Sequence, residues 1–156
     1  MVVCAQITIV LPFSVVPVTL AFFMVFVIGG LLGPRHGALC MLIYILMGMI
    51  GLPVFAGFNS FSALAGPTGG YIVGYVPMAA IVGLFVHKFN KAWLHIIGML
   101  LGMFIGYLFG ALWYMVLAEV SFVTSITVTI VPFILADLFK LILAYLVINR
   151  LRKVLH

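Results

Sequence analysis

Charge is what this sequence has least of. Seven Lys or Arg and two Asp or Glu occur among 156 residues, 6% in all, where an ordinary soluble domain carries about 25%. With 67% of its residues hydrophobic, a water-soluble globule of this size could not cover its surface, so the chain is an integral membrane protein solvated mainly by lipid. Cysteine is scarce too: Cys4 and Cys40 stand singly in apolar runs, without C-x-x-C spacing, and read as small buried hydrophobes. The four histidines, His36, His87, His95 and His156, sit at segment ends without H-x-x-x-H spacing, which argues against a metal site. There is no G-x-x-x-x-G-K-[ST] loop, so the chain has no ATPase motif of its own. The hydroxyl-rich stretch from Ser121 to Thr129 has no histidine nearby to act as a base, which argues against an intramembrane enzyme. The net charge of +5 finds its explanation in membrane topology and not in nucleic acid.

What the sequence does have is long apolar runs. Glycine, proline and charge divide them at 1–11, 18–32, 37–50, 70–86, 92–118 and about 127–148. All six read as helices, because barrel strands would alternate apolar and polar residues. At about 20 residues per crossing, six spans fill the chain as a single membrane domain. The run 1–11 is too short to cross alone and reads as a truncated first helix. Arg35, Lys88, Lys91, Arg150, Arg152 and Lys153 all follow even-numbered runs, whereas the connections 11–18, 51–69 and 119–126 carry no Lys or Arg. The positive-inside rule then places both termini in the cytoplasm. In the fifth run, Trp93 and Tyr114 are 21 residues apart, about 31 Å of helix, which matches a hydrocarbon core flanked by interfacial aromatics. Gly98, Gly102, Gly106 and Gly110 on that helix form a stripe for close backbone approach, better suited to packing within the protein than to a partner subunit.

Two features stand out from this frame. Lys140 lies inside the sixth run, three residues after Asp137, so both side chains share one helical face. Either charge at mid-bilayer costs about 2.5–3.5 kcal/mol, and a purely structural pair could be replaced by apolar side chains with little loss, so the pair reads as functional. Pro132 is expected to set the start of the regular helix, with Asp137 about 8 Å below the outer surface by helical rise. The second feature is the uncharged outer connection 51–70, which holds Gly51, Gly57, Gly66, Gly69 and Gly70, two prolines, and the polar residues Asn59, Ser60, Ser62 and Thr68. Such a loop is expected to fold back over the helices and offer backbone groups and aromatic faces to something enclosed beneath it.

At these residues the sequence resembles the BioY family, the biotin-binding S components of energy-coupling factor (ECF) transporters. The resemblance rests on Gly-Leu-Pro-Val-Phe-Ala-Gly at 51–57, Gly-Pro-Thr-Gly-Gly-Tyr at 66–71, Val-Pro-Val-Thr-Leu at 16–20, Leu-Leu-Gly-Pro-Arg at 31–35, and Asp137-x-x-Lys140. After Val-Pro-Val-Thr-Leu this chain has Ala21 where the family usually has Gln. The resemblance implies an all-α S-component fold of six transmembrane helices in a prokaryotic inner membrane. It implies biotin as the substrate, with no cofactor, and a partner module of one transmembrane coupling protein and two cytoplasmic ATPases. Asp137 and Lys140 match the family's binding pair, and Gly57, Asn59 and Tyr71 lie in or beside the matching loop and helix start. Biotin chemistry suits these groups: Asp137 would accept from a ureido N–H and Lys140 would donate to the ureido oxygen, or alternatively to the carboxylate. Phe55, Phe58 and Tyr71 would pack on the ring and chain, and Thr68 would contribute from the loop. The competing readings are an S component for another vitamin, or a small ion-coupled transporter, which would carry more intramembrane carboxylates.

Overall fold

A computed structural model describes the chain over residues 1–9 and 17–155. Leu11, Pro12, Val16 and His156, on which parts of the sequence reading fall, lie outside the described residues. Seven α-helices occur among those described: α1 (Val2–Gln6), α2 (Ala21–Met49), α3 (Phe61–Ala65), α4 (Gly69–Lys88), α5 (Ala92–Ala118), α6 (Phe122–Thr129) and α7 (Ile134–Leu155). Lipid offers backbone amides no partners, so apolar runs this long satisfy them internally as helices. Helices α4 and α5 are each long and apolar enough to cross a membrane, the bent pair α6 and α7 makes a further such unit, and α2 is as long and apolar but is not one straight helix.

The expected helix at 1–11 is corrected. It ends at Gln6, and the β-branched pair Thr8–Ile9 forms a strand, β1, antiparallel to β2 (Val18–Thr19), with Thr8 opposite Thr19. β-branched residues sit better in extended backbone than in an isolated turn of helix.

The expected helices 18–32 and 37–50 are the two arms of α2. Gly33 interrupts the helical backbone at φ 82°, ψ 179°, a conformation open essentially to glycine alone. The following Pro34 disfavours helical backbone before it and starts the second arm without a missing donor. The chain reverses there: a Cβ on Gly37 would stand 3.0 Å from the Gly29 Cα, whereas a continuous helix would hold positions 29 and 37 about 12 Å apart. Helix α4 packs into this turn at Gly83, where a Cβ would lie 2.5 Å from the Gly33 carbonyl carbon and the Pro34 nitrogen. His87 Nε2 lies 3.2 Å from the Gly30 carbonyl oxygen, closing the same junction.

The expected helix 127–148 is also corrected. Residues Ile130–Phe133 form turns between α6 and α7, which are bent 57° from each other. Pro132 has no N–H to continue the ladder, so the regular helix begins just after it. The last turn of α7 sends Arg152 to the far end of α4, where its Nη1 donates to the Val86 carbonyl at 2.7 Å.

The four glycines of α5 face inward. Gly98 meets Phe85, Gly102 meets Met78 and Val82, Gly106 meets Phe22 and Met78, and Gly110 meets Tyr71. The core runs along this seam through Phe26, Met41, Met78, Met99 and Ile148, all fully buried. Large apolar side chains such as Leu42, Leu46, Phe104 and Leu143 are exposed, as a lipid-facing surface requires. Cys4 and Cys40 are half-buried and free, less enclosed than expected.

Candidate ligand-binding site

The start of α7 places a carboxylate where its helix favours one. Asp137 lies in the first turn, at the positive end of the helix dipole, and its backbone N–H donates to the Phe133 carbonyl at 2.8 Å. Its two carboxylate oxygens are divided between neighbours. Oδ1 accepts from Lys140 Nζ at 2.6 Å, and Oδ2 accepts from the Tyr107 hydroxyl at 2.7 Å. Asp137 and Lys140 are only 4% and 6% exposed, so this is a buried ion pair with the extra hydrogen bond that burial demands. An ammonium has three donors, and among the described residues Asp137 takes one of those of Lys140. The others face the requirement of a buried charge for partners, beside a cavity that both residues line.

The break between α6 and α7 contributes as well. The Phe133 N–H turns to the Ile130 carbonyl instead of to Thr129, and the freed Thr129 carbonyl takes the hydroxyl of Tyr71. Tyr71, its hydroxyl engaged on that carbonyl, is one of the residues that line the cavity. The ring belongs to a cluster around Phe22, whose centroid is 6.0 Å from that of Tyr71, 5.8 Å from Tyr75 and 5.7 Å from Tyr107. Aromatic walls with one charged pair and one phenol suit a mostly apolar ligand that carries a few polar atoms.

The connection 51–70 forms the next part of the wall. It is more ordered than a loop, with a 3-10 turn at Ala56–Phe58 and helix α3. Phe55 is 1% exposed, its ring set edge-on against Tyr44 at 5.2 Å over Gly48, which has no side chain to block it. The Tyr44 hydroxyl donates to the Val54 carbonyl at 3.0 Å. Thr68 lines the cavity while its hydroxyl donates to the Ala63 carbonyl at 2.9 Å, and Trp113 Nε1 donates to the Gly66 carbonyl at 2.9 Å, which anchors the loop on α5. Beside the loop, Ala5 of α1 and Pro17, Val18 and Thr19 around β2 also line the cavity.

Of the eight residues expected from the sequence, Asp137, Lys140, Tyr71, Phe55 and Thr68 come together at the cavity. Asn59 does not. It lines an adjoining recess with Ser62 and Pro67, and its Nδ2 donates to the Ala56 carbonyl at 2.9 Å. Gly57 serves the turn itself, at φ 69°. Phe58 points away and is 73% exposed, because left-handed backbone at both 57 and 58 turns it outward. Sequence reasoning missed Tyr107, Tyr44, Tyr75 and Phe22. Only Tyr107 carried a signal, since it adjoins Gly106 in the inward-facing stripe and is followed 30 residues later by its partner Asp137.

The model of the BioY family matches residues 1–156. The chain belongs to the BioY family. It is 37% identical to the biotin transporter BioY of Thermotoga maritima over 145 residues, covering 92% of this chain and 85% of that one. It is likewise 37% identical over 139 residues to the probable biotin transporter BioY of Pyrococcus horikoshii, covering 88% and 81%. The crystal structure of the S-component for biotin from an ECF-type ABC transporter superposes with a TM-score of 0.89 at 29% identity, covering 97% of this chain and 84% of that one. This BioY chain is thus an all-α, multi-pass membrane protein with the S-component fold, the class expected from the sequence.

Proposed function

We propose that the chain is the substrate-capture S component of an ECF-type transporter and that it binds biotin in the cavity beside Asp137 and Lys140. The observation that carries this reading is the buried Asp137–Lys140 pair, braced by Tyr107 on an aromatic cavity wall in a BioY chain. Biotin has two ureido N–H donors, one ureido acceptor, an apolar bicycle and chain, and a carboxylate. Asp137 accepts from a ureido N–H, and Lys140 donates to the ureido oxygen. The rings of Phe22, Phe55 and Tyr71 pack on the apolar parts. In this low-dielectric site an analogue that leaves one partner unpaired is rejected strongly. Pairing of Lys140 with the carboxylate is the competing arrangement, and it is overturned if biotin methyl ester binds as tightly as biotin.

The cavity lies at the start of α7, and Arg150, Arg152 and Lys153 lie at its other end, together with the Lys88 end of α4. With the basic end cytoplasmic, the cavity opens near the outer face of a prokaryotic inner membrane and the C-terminal end of α7 is inside, whereas α1, expected on the cytoplasmic side, lies against the cavity wall at the outer end. Biotin is cargo, no cofactor takes part, and ATP is hydrolysed by two partner ATPases joined through a transmembrane coupling protein. Equilibrium biotin binding to the purified protein, with Asp137→Asn and Lys140→Met beside it, tests the reading. Wild-type affinity weaker than micromolar, or unchanged affinity in both variants, overturns it.

A further inference from the structure

Gln6 does not line the cavity, yet it joins two parts of its wall. Its Nε2 donates to the Phe55 carbonyl at 2.8 Å and reaches the Pro53 carbonyl at 3.5 Å, while its Oε1 accepts from the Phe58 N–H at 2.9 Å. The carboxamide is thus fully oriented, with its oxygen on a backbone donor and its nitrogen on backbone acceptors. Ala5, next to it in α1, lines the cavity, and so do Phe55 and Ala56. The bonds of Gln6 close the seam between them.

The turn that Gln6 holds is a strained one. Gly57 and Phe58 are both left-handed, at φ 69° and 57°, and a residue with a Cβ disfavours that region. Phe58 is exposed, so packing of its side chain does not hold it there. The Phe55–Asn59 bridge closes the base of the turn, and the bond from Gln6 to the Phe58 N–H holds its tip.

We propose that Gln6 is a latch: it holds the 55–58 turn against the N-terminal segment and sets how fast ligand enters and leaves the cavity without setting how tightly it binds. The proposal rests on the reading of the cavity as the binding site. Because Gln6 touches no cavity-lining side chain in its bonds, the closed empty state and the closed loaded state lose the same interactions when it is removed. The equilibrium between them is then unchanged, while opening becomes easier in both.

Two measurements on the full chain in nanodiscs test this, with Gln6→Ala and Gln6→Glu beside wild type. Hydrogen exchange of segment 53–59 without ligand reads the latch alone: Gln6→Ala is expected to speed it about tenfold, the loss of one to two hydrogen bonds, and Gln6→Glu, which keeps the acceptor for Phe58, is expected to fall between. Stopped-flow biotin binding reads its consequence, with association and dissociation rates both rising about tenfold and Kd changing less than about threefold. Unchanged exchange in both variants overturns the latch, as does faster dissociation with an unchanged association rate, which is the signature of a damaged site. Failure of wild type to bind biotin at all overturns the ligand assignment instead, and the exchange measurement then decides the latch by itself.

Discussion

The two ends of the helical bundle differ in how closely their elements are brought together. At the end with the cavity, helices stop early and turns intervene, and side chains satisfy the backbone groups left over: Tyr71 on Thr129, Tyr44 on Val54, Trp113 on Gly66, Gln6 on Phe55 and Phe58. At the end with the basic residues, side chains also bond to backbone, His87 at Gly30 and Arg152 at Val86, but the helices themselves meet backbone to backbone, as Gly83 does at the Gly33–Pro34 turn and Gly29 does at Ala79. Side-chain bonds leave room between elements and fix positions by direction. Glycine contacts leave none and fix positions by exclusion. The difference teaches that one end is built to hold something and the other to hold itself together.

Variants that affect one end and spare the other test this division. The largest effect is expected at the ion pair. Asp137→Asn leaves the Lys140 ammonium buried without its counter-charge, and biotin affinity should fall about a hundredfold or more, read by isothermal calorimetry. Replacing both residues, Asp137→Leu with Lys140→Met, should recover thermal stability relative to either single change while binding stays lost, which separates the functional role of the pair from a structural one. Next is Gly83→Ala. Its methyl would meet backbone that cannot give way, so unfolding should become easier by about 1–3 kcal/mol while Kd of the folded protein stays within about twofold. A large fall in affinity there would break the comparison. Tyr107→Phe removes one hydrogen bond from a buried carboxylate and should weaken biotin about tenfold with little change in melting temperature. The smallest effect is expected for Asn59→Ala, less than about threefold on Kd, because Asn59 faces the recess and bonds within its own turn.

The charged half of the site was legible from the sequence because lipid makes charge expensive: Asp137 and Lys140 are conspicuous in an apolar run for a physical reason. The aromatic half was not. Tyr44, Tyr75 and Tyr107 look like any interfacial tyrosine until the helices are packed, and which face of α5 turns inward was visible only through its glycines. Phe55 and Phe58 belong to one loop and one residue type, yet one is buried and the other exposed, a sorting decided by two left-handed residues that sequence pattern does not register. The reversal at Gly33–Pro34 and the break near Pro132 were legible as punctuation, and the short helix α6 before the break was not. Gln6 lay inside the run 1–11 taken for a helix, where a lone amide carries no signal without the distant turn it holds.

The inward stripe of α5 has a consequence for anything that meets the protein sideways. Because Gly98, Gly102, Gly106 and Gly110 are occupied from within, the surface that α5 turns to lipid is built from Leu101, Phe104, Leu112 and Val116. A protein gliding up to this helix in the plane of the bilayer finds a ridge of bulky side chains whose notches are already filled. Shoulder-to-shoulder docking of two backbones must therefore use a surface other than this ridge.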